Sequence, residues 1–131
     1  MRPSERQAGL GDEALGPPPL APLNVRLYLM QRVSAAVMAP LVAVHLGGMF
    51  YASARGLSAA EILGRTQGSI GWALFYGLFV LAAAVHAAIG MRSVLTEWTP
   101  LARRVRDLLA CGLGLALAGL GLRAVAAVTL P

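Results

Sequence analysis

The segment from Val85 to Trp98, "VHAAIGMRSVLTEW", sets a histidine inside an apolar run and follows it with Gly, Arg, Ser and a Glu-Trp pair. At 100° per residue, His86, Gly90, Ser93 and Glu97 fall on one helical stripe. A neutral imidazole at that position offers a nitrogen lone pair deep in apolar surroundings. Gly90, one turn away, removes a side chain where a flat macrocycle would approach. Arg92 lies nearer the polar end, where a guanidinium can meet a propionate by charge-assisted hydrogen bonding. Histidine is an axial haem ligand, and paired histidines suit electron transfer. The same spacing also serves a histidine that hydrogen-bonds across helices beside a glycine that only packs.

A second polar line runs through the first apolar segment, where Gln31, Ser34, Met38 and His45 lie within about 40° of one line at 100° per residue. His45 stands 13 residues from Arg32, and His86 stands 11 from Glu97. At 1.5 Å per residue the two depths differ by about 3 Å, so both histidines are candidate ligands of one iron. The alternative is that His45 is packed or hydrogen-bonded. Arg32, Ser34, Glu97 and Trp98 are expected at one level near the membrane edge. A cation, a hydroxyl, a carboxylate and an indole N–H suit a quinone, whose carbonyls need donors and whose reduction needs protons. They equally suit an interfacial anchor set.

These residues need elements to hold them. Of the 131 residues, 57% are hydrophobic and 13% charged, and the apolar ones gather into runs long enough to cross a bilayer, about 20 residues each. The pattern predicts an all-α membrane protein, three transmembrane helices in a small bundle, with spans over about 27–54, 69–98 and 103–129. Pro40 lies inside the first, where neighbouring groups in a membrane bundle absorb a mild kink. Ser58-Ala59-Ala60-Glu61 is a capping box and predicts a short interfacial helix over about 58–64, followed by a turn at Gln67-Gly68-Ser69. Trp72 and Trp98 are 26 residues apart, roughly 39 Å along a helix, which suits two aromatic belts. Pro100 ends the second span. The third contains "CGLGLALAGLGL", with one small-residue stripe at Gly112, Ala116 and Gly119 and another at Gly114, Ala118 and Gly121. Such grooves admit a close neighbour in lipid. Residues 1–24, rich in Pro, Gly, Glu and Arg, are expected to form a disordered or peripheral tail, leaving 25–131 as the membrane domain.

The net charge of +5 is carried by arginine alone. The arginines flank apolar runs and form no stripe of the kind that binds nucleic acid, so no nucleic-acid partner is expected. Arg2, Arg6, Arg26 and Arg32 attend the start of the first span, and Arg92, Arg103, Arg104 and Arg106 surround the 98–104 loop. Only Arg55 and Arg65 occupy the other loop. The positive-inside rule then makes the N-terminus and the 98–104 loop cytoplasmic. A single cysteine, Cys111, excludes an intrachain disulfide and a cysteine metal cluster. No triad, P-loop or dinucleotide fingerprint is present, so the chain alone is expected to be non-catalytic.

The three spans, "QRVSA" opening the first and "HAAIGMRSVLTEW" through the second, resemble the membrane subunits of succinate dehydrogenase (succinate:quinone oxidoreductase) over about residues 24–130. That family has a cytochrome b subunit and a hydrophobic anchor subunit, each with three spans. The cytochrome b pattern S-x-x-H-R-x-[ST]-G meets Tyr28, Gln31, Arg32, Ser34 and Ala35 here, so its Ser, His and Gly are absent. The anchor patterns Q-R-x-[ST]-A and H-x-x-[IL]-G-[ML], followed by V-L-T-[DE]-aromatic, fit better.

The resemblance implies that His86 is an axial ligand of haem b. It implies too that Arg32 lines a quinone pocket and that Glu97 occupies the site of the anchor's Asp. Trp98 stands where the anchor usually has a quinone-bonding Tyr; an indole donates a hydrogen bond but passes on no phenolic proton. His45 has no counterpart in the two-subunit scheme, leaving open a chain that supplies both ligands, alone or as a second copy of itself. The implied partners are flavoprotein and iron-sulfur subunits and a second membrane subunit in a bacterial inner membrane. Electrons from succinate would pass to ubiquinone or another quinone as part of the tricarboxylic acid cycle. A fumarate reductase anchor, or a purely structural bundle without haem, remains the alternative.

Overall fold

The computed structural model describes residues 22–130. The chain forms four helices: α1 (Pro22–Arg55), α2 (Ala59–Thr66), α3 (Ile70–Trp98) and α4 (Arg103–Thr129), with no strand among the described residues. The tail expected over 1–24 lies outside the described residues except for Pro22, Leu23 and Asn24, which already belong to α1. Proline at the first helical turn has the helical φ and no N–H to leave unpaired, which accounts for the earlier start.

Three segments, Val25–Arg55, Ile70–Trp98 and Arg103–Thr129, are long and apolar enough to cross a membrane. The chain is therefore a multi-pass helical membrane protein. The Gly-Leu alternation in α4 did not produce a strand, because in lipid a helix satisfies its backbone within itself whereas a lone strand leaves an open edge. α1 continues through Pro40.

The spans form a bundle with α3 in the middle. α1 and α4 each pack along α3 and barely touch one another. The two small-residue stripes of α4 have different fates. A Cβ at Gly114 would lie 2.9 Å from the Ala88 Cβ and 3.5 Å from the Ala84 carbonyl oxygen, and one at Gly121 would lie 2.5 Å from Val80 Cγ1. That stripe lets α4 settle against α3. A Cβ at Gly112 or Gly119 meets nothing within 4 Å, so the other stripe faces outward. Ala84 and Ala110 are buried, and large side chains such as Leu108, Leu115 and Leu120 are exposed to the surroundings. A flat three-helix unit with so little core relies on an apolar environment.

The connection between α1 and α3 is tightly specified. α1 ends in a Schellman motif, with Leu57 N–H donating to the Ala52 carbonyl at 3.0 Å and Gly56 N–H to Ser53 at 3.2 Å. Gly56 takes φ +63°, which costs a residue without Cβ nothing. The capping box forms as expected: Ser58 N–H donates to Glu61 Oε2 at 2.8 Å, and Glu61 N–H to Ser58 Oγ at 3.3 Å. At the far end of α2, Thr66 Oγ1 donates to the Val128 carbonyl at 2.7 Å and Gly68 N–H to Thr129 at 2.8 Å. These two bonds tie α2 and its turn to the end of α4.

Candidate functional site

His86 sits midway along α3, on the side facing α1. Its Nδ1 is 3.2 Å from Ser34 Oγ, and its Nε2 is 3.3 Å from the Gln31 amide nitrogen. Ser34 is buried, and its hydroxyl donates to the Gln31 backbone carbonyl at 3.0 Å. A hydroxyl has one proton, and a carbonyl can only accept. With that proton spent, Ser34 Oγ accepts from His86 Nδ1–H, and the Nε2 lone pair accepts from the Gln31 amide. This arrangement of donors and acceptors favours the Nδ1–H tautomer. Nε2 is the atom left able to bind a metal.

Gln31 Oε1 is buried without a partner. A Cβ at Gly90 would come 3.4 Å from the Gln31 amide nitrogen, so the clearance made by Gly90 is taken up by Gln31. An iron at Nε2 would replace a single hydrogen bond. His86 Nε2 is the nitrogen that would hold such an iron, and Gln31, which now caps it and fills the space beside Gly90, would have to swing aside.

The depth match between the histidines does not survive in the helix packing. Ser34 is the α1 residue level with His86, and His45 is eleven positions further along α1, about 16 Å at 1.5 Å per residue. His45 instead stacks on Phe79 at 5.5 Å and meets Tyr76 edge-on at 6.0 Å. Arg32 and Glu97 are not level, because α1 packs along α3 in the register that sets Gln31 and Ser34 against His86. One iron does not reach both histidines within one chain, and no group of three or more His, Cys, Asp or Glu converges among the described residues.

The expected set of Arg32, Ser34, Glu97 and Trp98 is dispersed for the same reason. Ser34 lies at His86. Trp98 is 82% exposed. Arg32 turns to Tyr28, donating to its hydroxyl at 2.7 Å with its guanidinium 5.5 Å from the ring centre. Glu97 alone of the four lines a cleft of about 300 Å³ between α1 and α3, together with Tyr28, Gln31, Arg92, Ser93 and Thr96. Arg92 also forms an ion pair with Asp107 on α4, Nε to Oδ1 at 2.6 Å, with Arg103 3.9 Å from the other carboxylate oxygen.

Tyr28 and Asp107 were missed as site residues. A signal existed for each: Tyr28 is one turn before Arg32, and Arg92 and Asp107 are symmetrically placed about the Thr99-Pro100 turn of an antiparallel hairpin. The polar cleft and the histidine level behind it are joined by Gln31, which touches both. This arrangement can present a metal-ligating nitrogen in the bilayer interior and a carboxylate, a phenol and a guanidinium at its edge.

By class, the fold and site are those of a helical multi-pass membrane protein with a histidine inside the bundle and a polar cleft toward one end. The family model described as succinate dehydrogenase/fumarate reductase transmembrane subunit matches residues 18–126, and the chain belongs to that family. It is thus a membrane subunit of such a complex, with the catalytic partners on other chains. No curated protein and no solved structure matches the chain.

Proposed function

We propose that this chain is the anchor-type membrane subunit of a succinate dehydrogenase in a bacterial inner membrane, binding haem b through His86 and forming part of the site where ubiquinone or another quinone is reduced. The observation that carries this reading is the Ser34–His86–Gln31 network, which leaves Nε2 as the ligating nitrogen inside a membrane span. When bound, the haem supplies one-electron exchange. The second axial ligand belongs to another chain, since His45 is too far along α1.

The quinone ring is assigned to the cleft between α1 and α3. Glu97 and Tyr28 supply a proton acceptor and a phenolic donor there. Tyr28 takes over the phenol that Trp98 lacks, and Arg32 orients it through the 2.7 Å bond. Arg92 engages Asp107 through Nε and leaves its terminal nitrogens for an anionic or carbonyl oxygen at the cleft. The flavoprotein and iron-sulfur subunits dock at the face carrying this cleft, which the arginine distribution makes cytoplasmic.

The test is a reduced-minus-oxidised spectrum of the purified membrane complex, with the parent chain and with His86→Ala. A b-type band present in the parent and lost in the variant is expected; a variant that keeps the band sinks the ligand assignment. Succinate–quinone and quinol–fumarate rates on the same preparation decide the direction.

A further inference from the structure

Beneath α2, at the end of the molecule opposite the 98–104 loop, lies a cavity of about 310 Å³ that the haem and quinone roles leave unused. Val44, Met49, Leu57 and Ile62 form apolar walls, and α2 roofs the cavity between its two anchorages. The polar lining is one-sided. Arg65 brings a guanidinium, Trp72 an indole N–H, Tyr76 a phenol and His45 an imidazole, and no carboxylate lines the space. Thr66 spends its hydroxyl proton on the Val128 carbonyl.

The carboxylate on α2 is held at the helix cap. Glu61, one turn before Arg65, accepts from the Ser58 N–H and hydroxyl, both at 2.8 Å. The ion pairs among the described residues both involve Asp107, at the other end of the bundle. Among the described residues Arg65 therefore has no acidic partner within 4 Å, and Arg55 nearby rests over the Tyr51 ring at 5.6 Å. His45 makes aromatic contacts only, although it lies ten residues inside α1 from Arg55, about 15 Å along the helix. Unpaired hydrogen-bonding groups at that depth call for a partner.

These observations set the chemistry of an occupant: an anion at the rim, hydrogen-bond acceptors below it and an apolar body deeper still. We propose that the cavity binds one glycerophospholipid, with its phosphate on Arg65, its ester carbonyls served by the donors of Trp72, Tyr76 and His45, and an acyl chain along Val44, Met49 and Ile62. A quinone has acceptors and a tail but no negative charge for Arg65. Free phosphate has the charge but nothing to fill the apolar walls.

Gly48 provides the test, since it lines the cavity and a Cβ there meets nothing within 4 Å. Gly48→Leu fills the space without disturbing the helix contacts, and Ile62→Trp fills it from the α2 side should Gly48→Leu fail to assemble. The purified complex is washed in detergent, and retained lipid is measured by phosphorus content and mass spectrometry. The parent is expected to keep about one more phospholipid per chain than either filled variant. Arg65→Gln is expected to lose that molecule and Arg65→Lys to keep it. Added phosphatidylglycerol should restore it to a delipidated parent, while diacylglycerol and inorganic phosphate should neither bind nor compete. Equal phospholipid content in the parent and the filled variants overturns the proposal. So does displacement by inorganic phosphate alone, or the finding that the molecule lost on filling is a quinone.

Discussion

Ser34 Oγ stands 3.2 Å from His86 Nδ1 while its own proton is held by the Gln31 carbonyl, so a serine on α1 favours the lone pair on Nε2 of a histidine on α3. Removing this acceptor leaves a buried N–H unpaired, at a cost of about 1–3 kcal/mol, and makes the imidazole a weaker electron donor. With His86 holding a haem as proposed, Ser34→Ala is expected to weaken haem retention and raise the haem midpoint potential. Ser34→Thr, which keeps the hydroxyl, should restore both. A redox titration of the assembled complex checks this; an unshifted potential in Ser34→Ala means that Ser34 does not act on the ligand.

The ion pair between Arg92 and Asp107 joins α3 to α4 beside the polar cleft. Both side chains are partly exposed, 25% and 45%, which puts the pair at about 0.5–1 kcal/mol. Asp107→Asn should lower the melting temperature of the complex by a small amount and leave the haem band in place. The double charge swap, Arg92→Asp with Asp107→Arg, should recover part of the loss. A double-mutant cycle with no coupling would show that the two groups merely lie side by side.

The two stripes of α4 give a sharper packing test. A Cβ at Gly114 would stand 2.9 Å from Ala88 Cβ with the Ala84 carbonyl oxygen close behind, and neither neighbour can swing aside. Gly114→Ala is expected to destabilise by about 1–3 kcal/mol despite the better helix propensity of alanine. Gly119→Ala, facing open space, should be neutral or slightly stabilising. Thermal denaturation of the two variants in one detergent separates them.

The same stripes show what the sequence could and could not disclose. Span number, the ends of α3 and α4, and the capping box follow from local rules of hydropathy and capping, which act within a few residues. Which stripe meets a neighbour depends on the rotation of α4 about its axis, and nothing local encodes that. The register of α1 against α3 was lost in the same way. The register that sets Gln31 and Ser34 against His86 carries His45 about 16 Å away and replaces Trp98 at the cleft by Tyr28. His86 itself was legible because a titratable group inside a span is expensive wherever the helix rotates.

The capping box carries a pH dependence whose sign is fixed. Hydrogen bonds from the Ser58 backbone and then its side chain, with a smaller contribution from Arg65, hold the Glu61 carboxyl below its ordinary value of 4.5. A depressed folded-state pKa stabilises above the unfolded value, and that stability is lost as pH falls through the folded value. Amide exchange in α2 should therefore stay protected at neutral pH and rise relative to α1 as the pH drops below about 4.5. Glu61→Gln should flatten that response. A parent whose α2 protection is unchanged on acidification contradicts the assignment.

The cleft makes the last prediction, which sets Tyr28 against Trp98. Tyr28 lines the cleft and its hydroxyl accepts from Arg32 at 2.7 Å, leaving the phenolic proton for the quinone oxygen proposed there. Trp98 is 82% exposed and outside the cleft. Losing one hydrogen bond of about 0.5–1.5 kcal/mol corresponds to a several-fold change in an equilibrium constant. Tyr28→Phe is expected to raise the quinone KM several-fold and reduce kcat for quinone reduction, while electron transfer from succinate to an artificial acceptor that bypasses the membrane site stays unchanged. Trp98→Phe should leave quinone reduction near the parent rate. If the two variants exchange these behaviours, the quinone ring lies on the Glu97-Trp98 side of α3 and not between α1 and α3.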